Sequence, residues 1–143
     1  MVLRVVLAGI AIAALSATAA SATVRIGNDR GGQIGPYLEA FAAVRASGER
    51  VMIDGNCLSA CTLVLGVVPP NRICVTRRAR LGFHAAWIFG GDGQPIVSTA
   101  GTRLLLATYP AQVRHWIARR GGLSRRLIYL SGRELRSMYH SCR

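Results

Sequence analysis

The chain has 143 residues, 51% of them hydrophobic, with eighteen arginines, no lysine and six acids for a net charge of +12. That length, without internal repeat, linker or low-complexity region, excludes a multidomain or repeat architecture and fits one domain with a modest core. The charge favours anionic partners such as envelope lipid head groups, acidic polymers or nucleic acid. The arginines are scattered, however, which leaves an ordinary solvated surface as the alternative, and no aromatic interleaving marks a stacking platform for nucleic acid.

The N-terminus "MVLRVVLAGIAIAALSATAASA" sets Arg4 before an uncharged apolar run and closes on Ala20-Ser21-Ala22. This is the order of a secretory signal peptide cleaved after Ala22. It predicts a signal segment over 1–22 and a single exported domain over 23–143, periplasmic or secreted, with seventeen arginines against six acids, or +11. An uncleaved anchor is the alternative, since Val5 to Ala20 is only slightly shorter than the ~20 residues that span a bilayer. No later segment is long and apolar enough to span.

"TVRIG" (23–27) alternates like a strand, "NDRGGQIGP" is a polar glycine turn, and "PYLEAFAAVRAS" (36–47) is a helix opened by Pro36 and closed by Gly48. "RVMIDG" (50–55) reads as a buried strand. "LSACTLVLG" (58–66) is long for a buried strand and suits a helix stopped by Gly66 and Pro69-Pro70. "RICVT" and "RLGFHAAW" are two further strands, so this part of the chain reads as a parallel α/β sheet with right-handed crossovers. "GGDGQP" (90–95) is a loop. The C-terminal third looks helical: "AGTRLLLATY" capped by Ser98 or Thr99, "AQVRHWIARR" with Val113, Trp116 and Ile117 on one face, then "SRRLIYL" and "SGRELRSMY" as two short helices.

Cys57, Cys61, Cys74 and Cys142 all lie after the signal segment, and an even number in an oxidising compartment points to two disulfides. Three pairings are open. With Cys57 and Cys61 at the start of one helix, bridging each other is poor geometry, so the expected pairs are Cys61 with Cys74 and Cys57 with Cys142. Neither paired C-x-x-C spacing nor a histidine pair is present to favour zinc.

In this layout Ser59 follows a buried strand and opens a helix at the carboxyl edge of the sheet, where open α/β sheets bind ligands. Unpaired backbone N–H groups at that helix end are available to an oxyanion. His84 would leave the sheet at the same edge if its strand runs parallel, giving a candidate nucleophile and base. An ordinary helix-start serine and a partly buried histidine are the plain alternatives. His115 and His140 read as structural or surface residues, and Trp87, Phe89 and Trp116 as core or pocket lining.

"IGNDRGGQIGPYLEAF", "IDGNCLSACTLVLG" and "ARLGFHAAW", in that order over residues 23 to 90, resemble the Clp protease proteolytic subunit and its relatives of the ClpP/crotonase fold. The resemblance implies Ser59 as nucleophile, His84 as general base, and the backbone N–H groups of Gly32 and Ala60 as oxyanion hole. The family's third member is an acid about fifty residues beyond the histidine. Glu134 stands near that place, although Ser131-x-x-Glu134 also has the form of a capping box. Asp92 lies in a glycine loop and suits a turn. Arg30 replaces the family's proline before Gly31-Gly32, the flanking cysteines are foreign to the cytosolic protease, and no N-terminal extension or handle for ring assembly is present.

The expected function is therefore an exported serine hydrolase acting on an acyl or peptide substrate through a dyad of Ser59 and His84 or a triad completed by Glu134, with no metal or organic cofactor. No coenzyme A phosphate site is evident. The alternative is a non-catalytic cationic binding module of the cell envelope, with an anionic envelope component as partner. A third reading is a disulfide-stapled assembly protein that oligomerises through its C-terminal helices.

Overall fold

Alternating burial along the first strand and a largely buried second strand place both in one sheet. The structure, a computed structural model, describes residues 22–143, so the predicted signal segment, up to Ser21, lies outside the described residues. β1 (Thr23–Asp29) turns Ile26 into the core, and β2 (Arg50–Leu58) buries Val51, Ile53 and Cys57. Between them α1 (Ile34–Ser47) packs Phe41 inward and ends at Gly48, whose φ of 79° is the left-handed cap expected of a glycine there. The crossover leaves β1 and β2 parallel.

β2 is the hub of the sheet. β1 pairs with it over Arg50–Cys57, while the other edge is shared: β3 (Ile73–Val75) lies beside Val51–Ile53 and β4 (Arg80–Phe83) beside Asn56–Leu58, both parallel. Asp54 sits at this fork with its side chain almost fully buried. Its carboxylate accepts from Thr76 Oγ1 at 2.7 Å, from Arg78 Nε at 3.0 Å and from Arg25 Nε at 2.8 Å, and both guanidinium groups close a second bond on it. A lone carboxylate in an apolar strand is costly unless paired in this way. The hydrogen bonds from Arg78, Thr76 and Arg25 hold its pKa well below the ordinary carboxylate range.

The stretch after Leu58 is not one regular helix. Ser59–Leu63 forms a tight 3₁₀ turn before a single turn of α-helix, α2 (Val64–Val67). "RLGFHAAW" is likewise split. β4 ends at Phe83, and β5 (Trp87–Phe89) instead pairs antiparallel with β6 (Pro95–Val97) as a separate ribbon. The break is fixed by Ala85, whose N–H donates to Ser124 O at 2.7 Å, not to a strand neighbour.

The C-terminal third is less helical than the sequence suggests. α3 (Thr99–Thr108), capped by Ser98 Oγ accepting from Gly101 N–H, and α4 (Ala111–Arg119) form as expected. α4 buries Val113, Trp116 and Ile117, and Trp116 packs 5.5 Å from Phe83. Burial of a side chain such as Phe83 contributes roughly 1.5–3 kcal/mol. The predicted helix "SRRLIYL" is instead β7 (Ile128–Ser131), antiparallel to β4, because Leu130 and Ile128 fill the edge beside Leu81 and Phe83. α5 (Gly132–Met138) follows, and β8 (His140–Ser141) closes the sheet beside β3.

The result is an α/β fold with a mixed, mostly parallel sheet in the order β7-β4-β2-β3-β8, with β1 also on β2. Among the described residues, no helix is long and apolar enough to cross a membrane. The disulfides are Cys57–Cys61 and Cys74–Cys142, which corrects both expected pairs. Cys57 belongs to an extended strand, and the sharp turn at Ser59 brings it back within a Cα separation of 5.3 Å of Cys61, so the poor geometry of two residues on one helix never arises. Cys142 reaches Cys74 because β8 runs beside β3 in register with it. Disulfides of this kind suit an oxidising compartment.

Candidate active site

Ser59 leaves β2 with a φ of 56°, and among the described residues it is the one non-glycine with positive φ. A serine held there stores strain, of order 1–3 kcal/mol, and such strain clusters at functional sites. Three contacts over-determine it. The Cys57–Cys61 disulfide spans it, Thr62 Oγ1 donates to the Ser59 carbonyl at 2.6 Å, and the same hydroxyl lies 2.6 Å from Tyr109 OH. Since Thr62 spends its one proton on the carbonyl, Tyr109 must donate to Thr62. Thr62 and Tyr109 are both buried, and burial pushes the Tyr109 phenol up to about 12.

The β1–α1 loop meets this turn from above. Gly31 has φ 79°, and a Cβ there would stand 2.4 Å from Leu58 O, 2.6 Å from Ser59 Cβ and 2.9 Å from Ala60 N. Only glycine lets the loop backbone lie against the Ser59–Ala60 peptide. Asp29 fixes the loop: its Oδ1 accepts from Gly31 N–H at 2.7 Å and from Tyr37 OH at 2.6 Å. Burial first, then the bond to Asp29 and its charge, raise the Tyr37 phenol to about 12. Gly32 follows in the same loop, and the Ala60 N–H lies at the start of the 3₁₀ turn, where an N–H has no partner within the helix.

Because β4 is parallel to β2, with Gly82 opposite Leu58, Ser59 and His84 leave the sheet at the same carboxyl edge. Both line one cleft of about 720 Å³, together with Gly32, Ala60, Ile34 and Trp87. No hydrogen bond joins them among the described residues; catalytic hydrogen bonds are often unformed before substrate binds. His84 Nδ1 lies 2.7 Å from the carbonyl of its own neighbour Ala85. A carbonyl only accepts, so Nδ1 carries a proton, and the tautomer this contact selects has its lone pair on Nε2. The Ala85–Ala86 backbone is itself tied down, by Ser124 O on the Ala85 N–H and Thr102 Oγ1 on the Ala86 N–H.

Glu134 is not brought to this site. In the β4–β7 ladder Ser131 stands opposite Arg80, so α5 begins at the amino end of β4 while His84 follows its carboxyl end, roughly 10 Å away for a four-residue strand. Glu134 accepts instead from Arg120 Nη2 at 2.8 Å. Nor does the expected capping box form, since Ser131 makes no side-chain cap bond. Asp92 is a turn residue, accepting from Gln94 N–H at 3.0 Å. His115 and His140 are exposed and lie outside the cleft.

Sequence reasoning passed over Asp29, Thr62 and Tyr109. Asp29, two residues before a glycine, carries a readable Asx-turn signal. The Thr62–Tyr109 contact joins residues 47 apart and has no local signature. No protein-family model matches this chain, and no curated protein matches it significantly.

Proposed function

We propose that this domain has a ClpP/crotonase-like fold and acts as an exported serine hydrolase on acyl or peptide bonds. One observation carries the reading: a strained Ser59 at the carboxyl edge of β2 shares a cleft with a His84 whose Nδ1 is committed to a carbonyl. In this mechanism the Ser59 proton passes to His84 Nε2 as Oγ attacks the substrate carbonyl. The Gly32 and Ala60 N–H groups receive the oxyanion, the leaving group departs with the proton from Nε2, and water releases the acyl group by the reverse path. The Ala85 carbonyl takes the orienting role that a third acid would fill, so the machinery is a dyad. Turnover of p-nitrophenyl esters by the oxidised protein tests this. Hydrolysis that Ser59→Ala and His84→Ala each abolish supports it, and hydrolysis that survives Ser59→Ala contradicts it.

A second reading, a cationic binding module that retains the fold without the chemistry, draws on one specific feature. Among the described residues His84 has no carboxylate partner and Glu134 is engaged by Arg120, while the domain carries seventeen arginines against six acids. Absent turnover, with binding to an anionic polymer that falls steeply with salt, would favour this module.

A further inference from the structure

The β5–β6 ribbon has no counterpart in the core. Trp87, Ile88, Phe89, Ile96 and Val97 are 50%, 54%, 69%, 44% and 44% exposed. The ladder sets Trp87 opposite Val97, Ile88 opposite Ile96 and Phe89 opposite Pro95, so both faces of the ribbon are apolar. An isolated two-stranded hairpin is marginal in water, and a contiguous apolar patch of this kind marks an interaction surface. Its surroundings identify the chemistry of the partner. Arg30 lines the cleft that Trp87, Ile88 and Phe89 wall on one side, and Arg125 lines the pocket that Trp87, Phe89 and Pro95 wall on the other. Arg125 is anchored to the ribbon through Pro95 O at 2.8 Å, and neither arginine has a carboxylate partner among the described residues.

Aromatic and branched apolar side chains flanked by cations match an anionic lipid interface, where rings sit at head-group depth and guanidinium groups meet phosphate. We infer that the β5–β6 ribbon docks the protein on an anionic membrane surface. Asp92 at the ribbon's turn, bound to the Gln94 N–H, opposes entry of the tip, so the ribbon meets the interface along its length with its turn held on the water side. This inference stands whether or not Ser59 is a nucleophile.

The chain has two tryptophans. Trp116 is fully buried and Trp87 lies on the ribbon, so a change in emission reports the ribbon whatever else on the chain meets lipid. The experiment titrates the exported, oxidised protein with vesicles of equimolar phosphatidylglycerol and phosphatidylcholine, and with phosphatidylcholine alone. Expected are a blue shift and quenching by brominated acyl chains on the anionic vesicles only, weakened by salt, with Ile88→Ser/Phe89→Ser lowering affinity roughly tenfold or more. Circular dichroism verifies folding of that variant, and Ile96→Ser/Val97→Ser repeats the test on the other strand should the first fail to fold. Unmoved Trp87 emission would overturn the inference, as would vesicle binding indifferent to both variants. A lipid-free dimer that these substitutions dissolve would overturn it too, because a second copy would then be the ribbon's occupant.

Discussion

Tyr109 donates through the Thr62 hydroxyl to the carbonyl of Ser59, a buried chain of two 2.6 Å hydrogen bonds that reaches from the end of α3 to the strained turn. Thr62→Val keeps the shape and removes the link, leaving the Tyr109 hydroxyl buried without its partner. Denaturant unfolding of Thr62→Val should show a loss of about 1–3 kcal/mol, and Tyr109→Phe a smaller loss of about 0.5–1.5 kcal/mol, since Thr62 can still donate to Ser59. Equal losses would mean that the chain does not run in this direction.

Glu134→Gln separates the two accounts of His84. The substitution removes an exposed ion pair to Arg120, worth about 0–1 kcal/mol, and should leave any Ser59 reactivity unchanged. Thr102→Val, which leaves the part-buried Ala86 N–H beside His84 without its acceptor, should lower that reactivity, with a stability loss of no more than about 1–3 kcal/mol. Reactivity rates for the two variants check this, and a large loss in Glu134→Gln with none in Thr102→Val would restore the acid to the machinery.

Asp54 makes stability depend on pH in a defined direction. Its pKa is lowered on folding by Arg78, Thr76 and Arg25, so its contribution is present above the unfolded value near 3.9 and is lost as pH falls below it toward the folded value. Wild-type stability should therefore drop below about pH 4. Asp54→Asn should be less stable at neutral pH, with a flatter acid limb. Melting curves from pH 2 to 7 read both, and an unchanged acid limb in the variant would count against the fork network.

The two disulfides should separate by loop length. Cys74–Cys142 spans 68 residues and Cys57–Cys61 spans four, so loop closure predicts losses of about 4 and about 2 kcal/mol for the paired serine variants. The short bridge should matter more to Ser59 reactivity than its share of stability suggests, because it brackets the turn. Comparing unfolding with reactivity in the two double variants tests both halves.

Local signals carried much of this fold. The buried face of Val113, Trp116 and Ile117, the Gly48 cap, the Ser98 cap and the parallel placement of the Ser59 and His84 strands were readable because each depends on neighbours within a turn or on alternation along a strand. What was not readable depends on distant partners. Ile128–Ser131 is a strand because β4 offers it an edge, and Cys57 meets Cys61 because a residue with positive φ reverses the chain. The same limit explains Glu134. Spacing placed it near an expected acid, but the antiparallel ladder sends α5 to the far end of β4.

The most direct measurement is the rate at which a fluorophosphonate labels the oxidised protein, with the adduct mapped by mass spectrometry, in wild type, His84→Ala and Gly31→Ala. Gly31→Ala belongs in the set because its Cβ would press on Leu58 O and the Ala60 N–H. The account predicts an adduct on Ser59, labelling lost in His84→Ala and strongly slowed in Gly31→Ala. A folded wild type that takes no label, or takes it on another residue, would contradict the hydrolase.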